Sequence, residues 1–214
     1  MKSKRKAKDG KESKKKEDSN ELKNLLVFLL VITIVFLAIG AILKQQIAPK
    51  IQTEYSNGFE FKKVGGSWFT KMLSPLYGVE VNANFRYAPS EVRDIVVEGD
   101  VKKFVEREIN KSFFTFNPQD NLTYMAVVAA DLAKYLKVLN GIDLEASCTK
   151  NVTSACEDRP IISCETEKTE PVIYVKSDAV SKVSYVGNCL IVQGSGEGLL
   201  KAYNKLLFLW YGIL

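Results

Sequence analysis

The chain has 214 residues, with 30 basic and 25 acidic side chains, a formal charge of +5 and no histidine. The absence of histidine excludes Ser-His-Asp and Cys-His catalysis, His-ligated zinc or copper, and an imidazole pH switch. Because residues 1–23 hold ten basic and five acidic residues, the remainder balances at 20 of each sign and gives no reason to propose nucleic-acid binding.

Residues 1–23 are rich in Lys, Asp, Glu and Ser and contain almost no apolar side chains. Such a segment buries too little apolar surface to offset its ordering entropy, so we expect it to be disordered. Its positive charge next to an apolar run places it in the cytoplasm under the positive-inside rule. Attraction to anionic lipid headgroups is an alternative to a role in topology alone.

Residues 25–43 read LLVFLLVITIVFLAIGAIL, a run of 19 residues without a charge, Pro, Asn or Gln. As a helix this run spans roughly 28 Å, the hydrocarbon thickness of a bilayer. We assign residues 24–44 to a single transmembrane helix, an uncleaved signal anchor of the cytoplasmic membrane with its N-terminus inside. The alternatives are a core helix of a soluble protein, a cleaved signal peptide and a pilin-like subunit. The run is longer than a usual signal core, and no small-x-small cleavage site follows it.

Residues 45–56 are assigned to a polar connector and residues 57–214 to one extracytoplasmic α+β domain with a mixed sheet. Two-residue alternation over residues 79–85 and turn signals at 65–66 and 74–78 predict an N-terminal antiparallel meander. Its aromatic side chains form either a carbohydrate- or peptide-binding face or, as we favour, the core of the sheet: Tyr55, Phe59, Phe61, Trp68, Phe69, Tyr77 and Phe85.

A strand–helix–strand order follows. The pattern predicts a helix over 100–109 with Asp100 as N-cap, a strand at 113–116, a helix over 122–139 ended by Gly141, and a strand at 142–148. Short connections favour a right-handed βαβ crossover with a parallel strand pair. The long helix has an alanine-rich face that would permit close approach to a sheet: Ala126, Ala129, Ala130 and Ala133.

The last third of the domain predicts strands at 161–164 and 172–175, then a hairpin of 183–186 with 189–192 around Gly187-Asn188. An amphipathic helix over 197–211 ends the domain, with Lys201, Asn204 and Lys205 opposite its apolar stripe. The stripe widens near Trp210, which indicates deep docking or contact with a partner. Trp68 and Trp210 are therefore the candidate interaction surface.

The four cysteines, Cys148, Cys156, Cys164 and Cys189, all follow the apolar run. An even set in an oxidising compartment is typical of two disulfides. Of the three pairings we favour Cys148 with Cys156, which closes a short loop, and Cys164 with Cys189, which ties a strand end to the hairpin. A zinc site of all four cysteines is the alternative, but the sequence has no C-x2-C pair.

Three N-x-S/T sequons, at Asn110, Asn121 and Asn151, also follow the apolar run, each in a polar and turn-like stretch. These asparagines are candidates for glycosylation. The sequence GSGEG at 194–198 lies between a predicted strand and helix, where a phosphate-binding loop would lie. It lacks the third glycine of a dinucleotide fingerprint and the Lys-Ser/Thr of a P-loop, so we favour a plain turn with Ser195 as the cap.

Several stretches resemble a group of small archaeal single-pass membrane proteins with a cysteine-containing outer domain: YSNGFEFKKVGGSWFT, FRYAPSEVRDIVVEGD, CTKN, SACEDRPIISCE, PVIYVK, GNCLIVQG and LLKAYNKLLFLWYGIL. The resemblance covers about three quarters of the chain. It implies an archaeal cell envelope and supplies no catalytic residues.

These features predict a membrane-anchored binding or assembly module of the cell envelope that is not catalytic and uses no cofactor or metal. Its expected partners are the lipid bilayer and another protein or the surface layer, with no nucleic acid. The alternative is a membrane-bound extracytoplasmic hydrolase that uses carboxylates without histidine. Pairs such as Glu91 with Asp94 or Glu106 with Glu108 would serve that chemistry.

Overall fold

The computed structural model describes residues 23–41, 51–167 and 169–214. The chain divides into two units, residues 1–50 and residues 51–214. Nearly all of the predicted disordered tail, and residues 42–50 with the first half of the predicted connector, lie outside the described residues.

The described residues of the first unit form one helix, α1, at Lys23–Ala41. Its 19 residues have a mean hydropathy of 2.8 over the most apolar window, and none of that window is buried. This length and composition are sufficient to cross a membrane, as is expected of either a membrane anchor or a signal sequence. The predicted apolar helix is thus present, and positions 42 and 43 of the run fall outside the described residues.

The second unit is α+β and begins with the predicted antiparallel meander. Its four strands, in the order β1-β2-β3-β4, are Thr53–Ser56, Phe59–Val64, Ser67–Leu73 and Glu80–Phe85. Strand β1 lies in the stretch assigned to the connector, so that boundary is wrong. The cause is local: Asn57 and Gly58 both have positive φ and form a tight turn that pairs β1 with β2.

A six-stranded mixed sheet has the order β5-β9-β10-β8-β6-β7. Its strands are β5 Val96–Glu98, β6 Lys111–Phe116, β7 Asp143–Cys148, β8 Val172–Ser177, β9 Lys182–Val186 and β10 Cys189–Gly194. Strands β7, β6, β8 and β10 run parallel, β9 pairs antiparallel with β10, and β5 pairs parallel with β9. The predicted parallel pair of the βαβ unit and the predicted hairpin are both confirmed.

Two helices pack on one face of this sheet: α2 at Leu122–Tyr135 and α3 at Glu197–Trp210. Asn121 caps α2 by accepting the Thr123 N–H at 3.1 Å. A π-helical turn at Leu136–Asn140 continues α2 and ends at Gly141, whose φ is +74°. Three short 3₁₀ turns complete the unit, at Pro89–Val92, Val101–Phe104 and Ser154–Cys156.

Two predicted elements are wrong. The predicted helix over 100–109 is only the turn Val101–Phe104: the Asp100 side chain accepts no capping hydrogen bond, and Phe104 stacks on Trp210 at 5.5 Å between ring centroids. The strand at 161–164 is reduced to one bridge between Ile161 and Cys148. Beyond it, Ser163 forms a side-chain turn with Thr166 that takes the chain out of the ladder.

The meander lies on the other side of the helices, which gives three layers of sheet, helices and sheet. Phe208 of α3 contacts Phe85 and Phe61 of the meander at 4.7 and 5.8 Å between ring centroids. Helix α3 is therefore covered from both sides. Asn204, predicted on its polar side, is only 1 % exposed and accepts the Tyr87 N–H at 3.3 Å, so that part of the prediction is wrong.

Candidate binding groove

The structure pairs Cys148 with Cys156 and Cys164 with Cys189, with Cα–Cα distances of 6.0 and 5.4 Å. This is the pairing that the sequence favoured, and it leaves none of the four cysteines as a thiolate for zinc. Cys148 and Cys156 belong to the core on the helix side of the mixed sheet, whereas Cys189 joins a small cluster on the opposite face with Phe113 and Val172.

The segment between β7 and β8 is tied to the carboxyl end of β7. The Cys148 N–H donates to the Pro160 carbonyl at 3.0 Å, and the Ile162 N–H donates to the Cys148 carbonyl at 2.9 Å. Thr115 Oγ1 donates to the Ile162 carbonyl at 2.6 Å. Together with the Cys148–Cys156 disulfide, these bonds hold Ala155 and Arg159 beside the sheet.

An apolar groove of about 400 Å³ lies between α2 and the parallel strands β6 and β7. This volume is within the range of small-molecule sites. Eight of its nine lining residues are apolar, and the ninth is a cation: Phe114, Phe116, Leu122, Met125, Ala126, Ala129, Ala146, Ala155 and Arg159. We call this feature the α2–β7 groove.

The groove is open because three of the side chains that line it from α2 and β7, those of Ala126, Ala129 and Ala146, are small. Helix α2 buries a bulkier stripe of Met125, Val128, Leu132 and Tyr135. Ala126 is exposed and Ala129 is half-buried, so the alanine-rich face does not provide close contact with the sheet as predicted. Those alanines, with Ala146 opposite, leave the space unfilled.

Arg159 supplies the charge of the groove. Its guanidinium carbon lies 5.7 Å from the centroid of the Phe116 ring, a cation–π contact. Among the residues that the structure describes, no carboxylate lies within 4.0 Å of this guanidinium. Its planar fork of N–H donors is therefore available to an incoming carboxylate.

The predicted interaction surface at Trp68 and Trp210 is wrong. Each indole is only 7 % exposed, and Trp210 Nε1 donates to the Val101 carbonyl at 2.9 Å. The aromatic side chains of the meander were predicted to form either a binding face or the core of the sheet, and the structure divides them between exposed and buried positions. Phe61, Trp68 and Phe85 are core residues, whereas Tyr55, Phe69 and Tyr77 are 71, 41 and 62 % exposed.

All three sequon asparagines, Asn110, Asn121 and Asn151, are exposed. Asn121 uses its Oδ1 to cap α2, and its Nδ2 takes no part in that hydrogen bond. Exposure is what glycosylation requires, and modification of these positions stays a prediction.

The GSGEG turn joins β10 to α3, as predicted, but Gly196 and not Ser195 is the N-cap. A Cβ atom on Gly194 would lie 2.6 Å from the Leu199 nitrogen. Glycine is required there because the turn folds tightly onto the start of α3. This close packing explains the glycines by the geometry of the turn, without a phosphate ligand.

The carboxylate pairs named for a hydrolase are exposed. Glu91 accepts the Ala88 N–H at 2.7 Å and so stabilises the turn at Pro89–Val92. Elsewhere, burial raises the pKa of Asp131, and the Arg86 guanidinium, 4.0 Å from the carboxylate, opposes this shift.

Sequence reasoning did not find the α2–β7 groove. Its sequence signal is limited to small residues on α2, on β7 and in the disulfide-linked loop. These segments are far apart in the sequence, and only the tertiary fold brings them together. Comparison of the chain with protein-family models, with curated proteins and with solved structures finds no match.

Proposed function

We propose that the protein is a membrane-anchored, extracytoplasmic binding or assembly module of the cell envelope, without catalytic activity. Its α2–β7 groove receives part of another envelope protein or of the surface layer. The observation that carries this proposal is the open apolar groove with one unpaired arginine in the described part of its rim.

Three features support the membrane and outer-face parts of the proposal. Helix α1 has the length and composition of a span, and the basic excess of residues 1–23 lies on its N-terminal side. Both disulfides and all three exposed sequon asparagines lie on its C-terminal side. Disulfides persist in oxidising compartments, so these features agree on one orientation. The resemblance to archaeal single-pass proteins supports the envelope location.

The groove supports binding because it exposes apolar surface in a concave site. Burial of one large apolar side chain of a partner contributes about 1.5–3 kcal/mol. A groove that admits such a side chain and presents a cation at its edge also fixes the orientation of what binds.

A groove-filling substitution tests this proposal. Ala129 lines the groove, whereas Ala130 is the next residue of α2 and is exposed away from it. We expect Ala129→Trp to abolish recovery of the partner after chemical crosslinking and affinity isolation from native membranes, and Ala130→Trp to retain it. Equal recovery with both variants, each with an unchanged thermal transition, would overturn the proposal.

Protease accessibility tests the orientation separately. In intact cells stripped of surface glycans, added protease is expected to cut loops of residues 51–214 and to leave an epitope tag at the N-terminus protected. Loss of the tag from intact cells, with the outer loops spared, would reverse the orientation.

A further inference from the structure

Strand β7 is an edge strand of the mixed sheet, and β6 is its one neighbour among the described strands. In a parallel ladder, alternate residues direct their backbone groups to opposite sides. Asp143 and Thr149 direct their N–H groups toward β6, where they donate to the Asn110 and Phe116 carbonyls. Leu144, Ala146 and Cys148 therefore direct theirs outward.

The outward groups of Cys148 already bond to the Pro160–Ile162 segment through a parallel bridge with Ile161. No hydrogen bond to the outward groups of Leu144 and Ala146 is found within residues 51–167 and 169–214. Two residues of the edge are thus open to an added strand, immediately before a segment that has begun such a strand in parallel orientation.

The open edge borders the α2–β7 groove, because Ala146 belongs to both. Side chains alternate between the two faces of a strand, so an extended peptide on this edge places every second side chain on the groove side. Peptide recognition by strand addition uses this arrangement: backbone bonds give affinity, and a neighbouring pocket selects the side chain.

We propose that β7 binds the C-terminal end of a partner protein as a parallel strand, with an apolar side chain in the groove and the terminal carboxylate at Arg159. This inference rests on the proposed function and names the chemistry of the partner. The peptide donates to and accepts from the backbone of Leu144 and Ala146, and the guanidinium receives the carboxylate.

The position of Arg159 sets the direction and the end of the bound chain. A parallel strand points toward Cys148, where Pro160 and Ile162 occupy the edge, so the added chain has to stop there. A peptide that ends at this point needs no turn to leave the edge. Its terminal carboxylate then lies beside Arg159, the residue before Pro160. An antiparallel peptide would instead bring its ammonium group to the same cation.

A defined peptide set tests the proposal on the full-length protein in lipid nanodiscs. The probes are acetylated hexapeptides with apolar residues at the last and third-from-last positions and threonine elsewhere, each made as a free acid and as a C-terminal amide. We expect a subset to bind as acids and at least about tenfold more weakly as amides, because a charge-assisted bond is lost.

Two variants separate the contributions. Arg159→Gln is expected to remove the preference for acid over amide. Ala146→Pro removes an outward N–H that β6 does not use, so it should abolish binding while the thermal transition is retained. N-methylation of the peptide at alternate backbone nitrogens provides the matched test from the ligand side, and methylation at the nitrogens facing β7 should abolish binding.

Three results would overturn the proposal: no peptide of the set binds, Ala146→Pro leaves binding unchanged, or dodecanoate and N-methylated peptides bind as well as the parent acid. The last result would identify a pocket for anionic amphiphiles. If Ala129→Trp removes the native partner while Ala146→Pro retains it, the proposed function stands and strand addition fails. If neither variant affects recovery, both fail.

Discussion

Tyr135 Oη donates a hydrogen bond to the Asn84 carbonyl at 2.6 Å and accepts the Asn84 N–H at 3.0 Å. One phenol of α2 therefore binds both backbone groups of a residue in β4, one of the two edge strands of the meander. The Tyr135 ring also stacks on Phe85 at 5.7 Å between centroids. This contact joins the helix layer that forms one wall of the α2–β7 groove to the meander behind it.

The same substitution at two tyrosines should have opposite effects on stability. Tyr135→Phe loses both bonds to Asn84 and should lower the free energy of unfolding by about 1–2 kcal/mol. Tyr203 is 1 % exposed, and its hydroxyl has no hydrogen-bond partner in the described part of the chain. Tyr203→Phe should therefore leave stability unchanged or raise it by up to about 1 kcal/mol. Urea unfolding of both variants measures the difference, and equal losses would contradict the two assignments.

Alkaline pH should destabilise the outer unit through its buried tyrosines. Burial raises the pKa of Tyr135 from 10.0 to about 12 and also raises the pKa of Tyr203 and Tyr211. Below the tyrosine pKa of the unfolded chain, the phenols are protonated in both the folded and the unfolded protein. Their raised pKa then makes its full contribution to the free energy of unfolding. As pH rises from about 10 through about 12, the unfolded state loses protons first and the contribution is lost.

Thermal unfolding between about pH 8 and about pH 11.5 tests this dependence. The transition temperature should fall above about pH 10, and Tyr135→Phe should show a shallower fall than the parent. A transition temperature that rises with pH in this window would show that the buried phenols are not the responsible groups.

The two disulfides should differ in their effect on stability. They join residues 8 and 25 positions apart. Loop-closure entropy then gives about 2.5 kcal/mol for Cys148–Cys156 and about 3.5 kcal/mol for Cys164–Cys189. Paired substitution to alanine, followed by denaturant unfolding, measures both values. Only the Cys148→Ala, Cys156→Ala variant should also weaken groove binding, because that disulfide holds the loop with Ala155 and Arg159.

Tryptophan fluorescence checks the corrected position of the indoles. Trp68 and Trp210 are the two tryptophans of the chain, and both are buried. Native emission should be blue-shifted relative to the unfolded protein and resistant to quenching by iodide. Strong quenching of the native protein by iodide would show that at least one indole is exposed and would support the predicted tryptophan surface.

Local patterns were sufficient for much of the fold. The meander, the parallel pair around α2 and the terminal hairpin follow from two-residue alternation and from turn residues such as Gly141 and Gly187, whose signals act over a few positions. The short turn at Val101–Phe104 and the burial of Asn204 depend on packing against distant elements. Phe104 stacks on Trp210 of α3, and Asn204 accepts the Tyr87 N–H, so both features depend on contacts between residues far apart in the sequence, which no local pattern encodes.

The α2–β7 groove was missed for a related reason. Ala126 and Ala129 indicate close helix packing when α2 is considered alone, but the space in front of them is set by β7 and by the loop that the Cys148–Cys156 disulfide holds. The observed cysteine pairing is the one that was favoured among the three that the spacing left open. The position of Arg159 beside Phe116 was not, because it depends on how that loop meets the sheet.

Site-specific photocrosslinking in native membranes tests the binding function of the groove most directly. A benzophenone amino acid is placed at Ala129, inside the α2–β7 groove, or at Ala130, one residue along the same helix. The proposed function predicts one discrete crosslinked protein from position 129, absent from position 130 and lost on addition of Ala146→Trp, which fills the groove from the opposite wall. Identical crosslinks from both positions, or none from position 129, would contradict it.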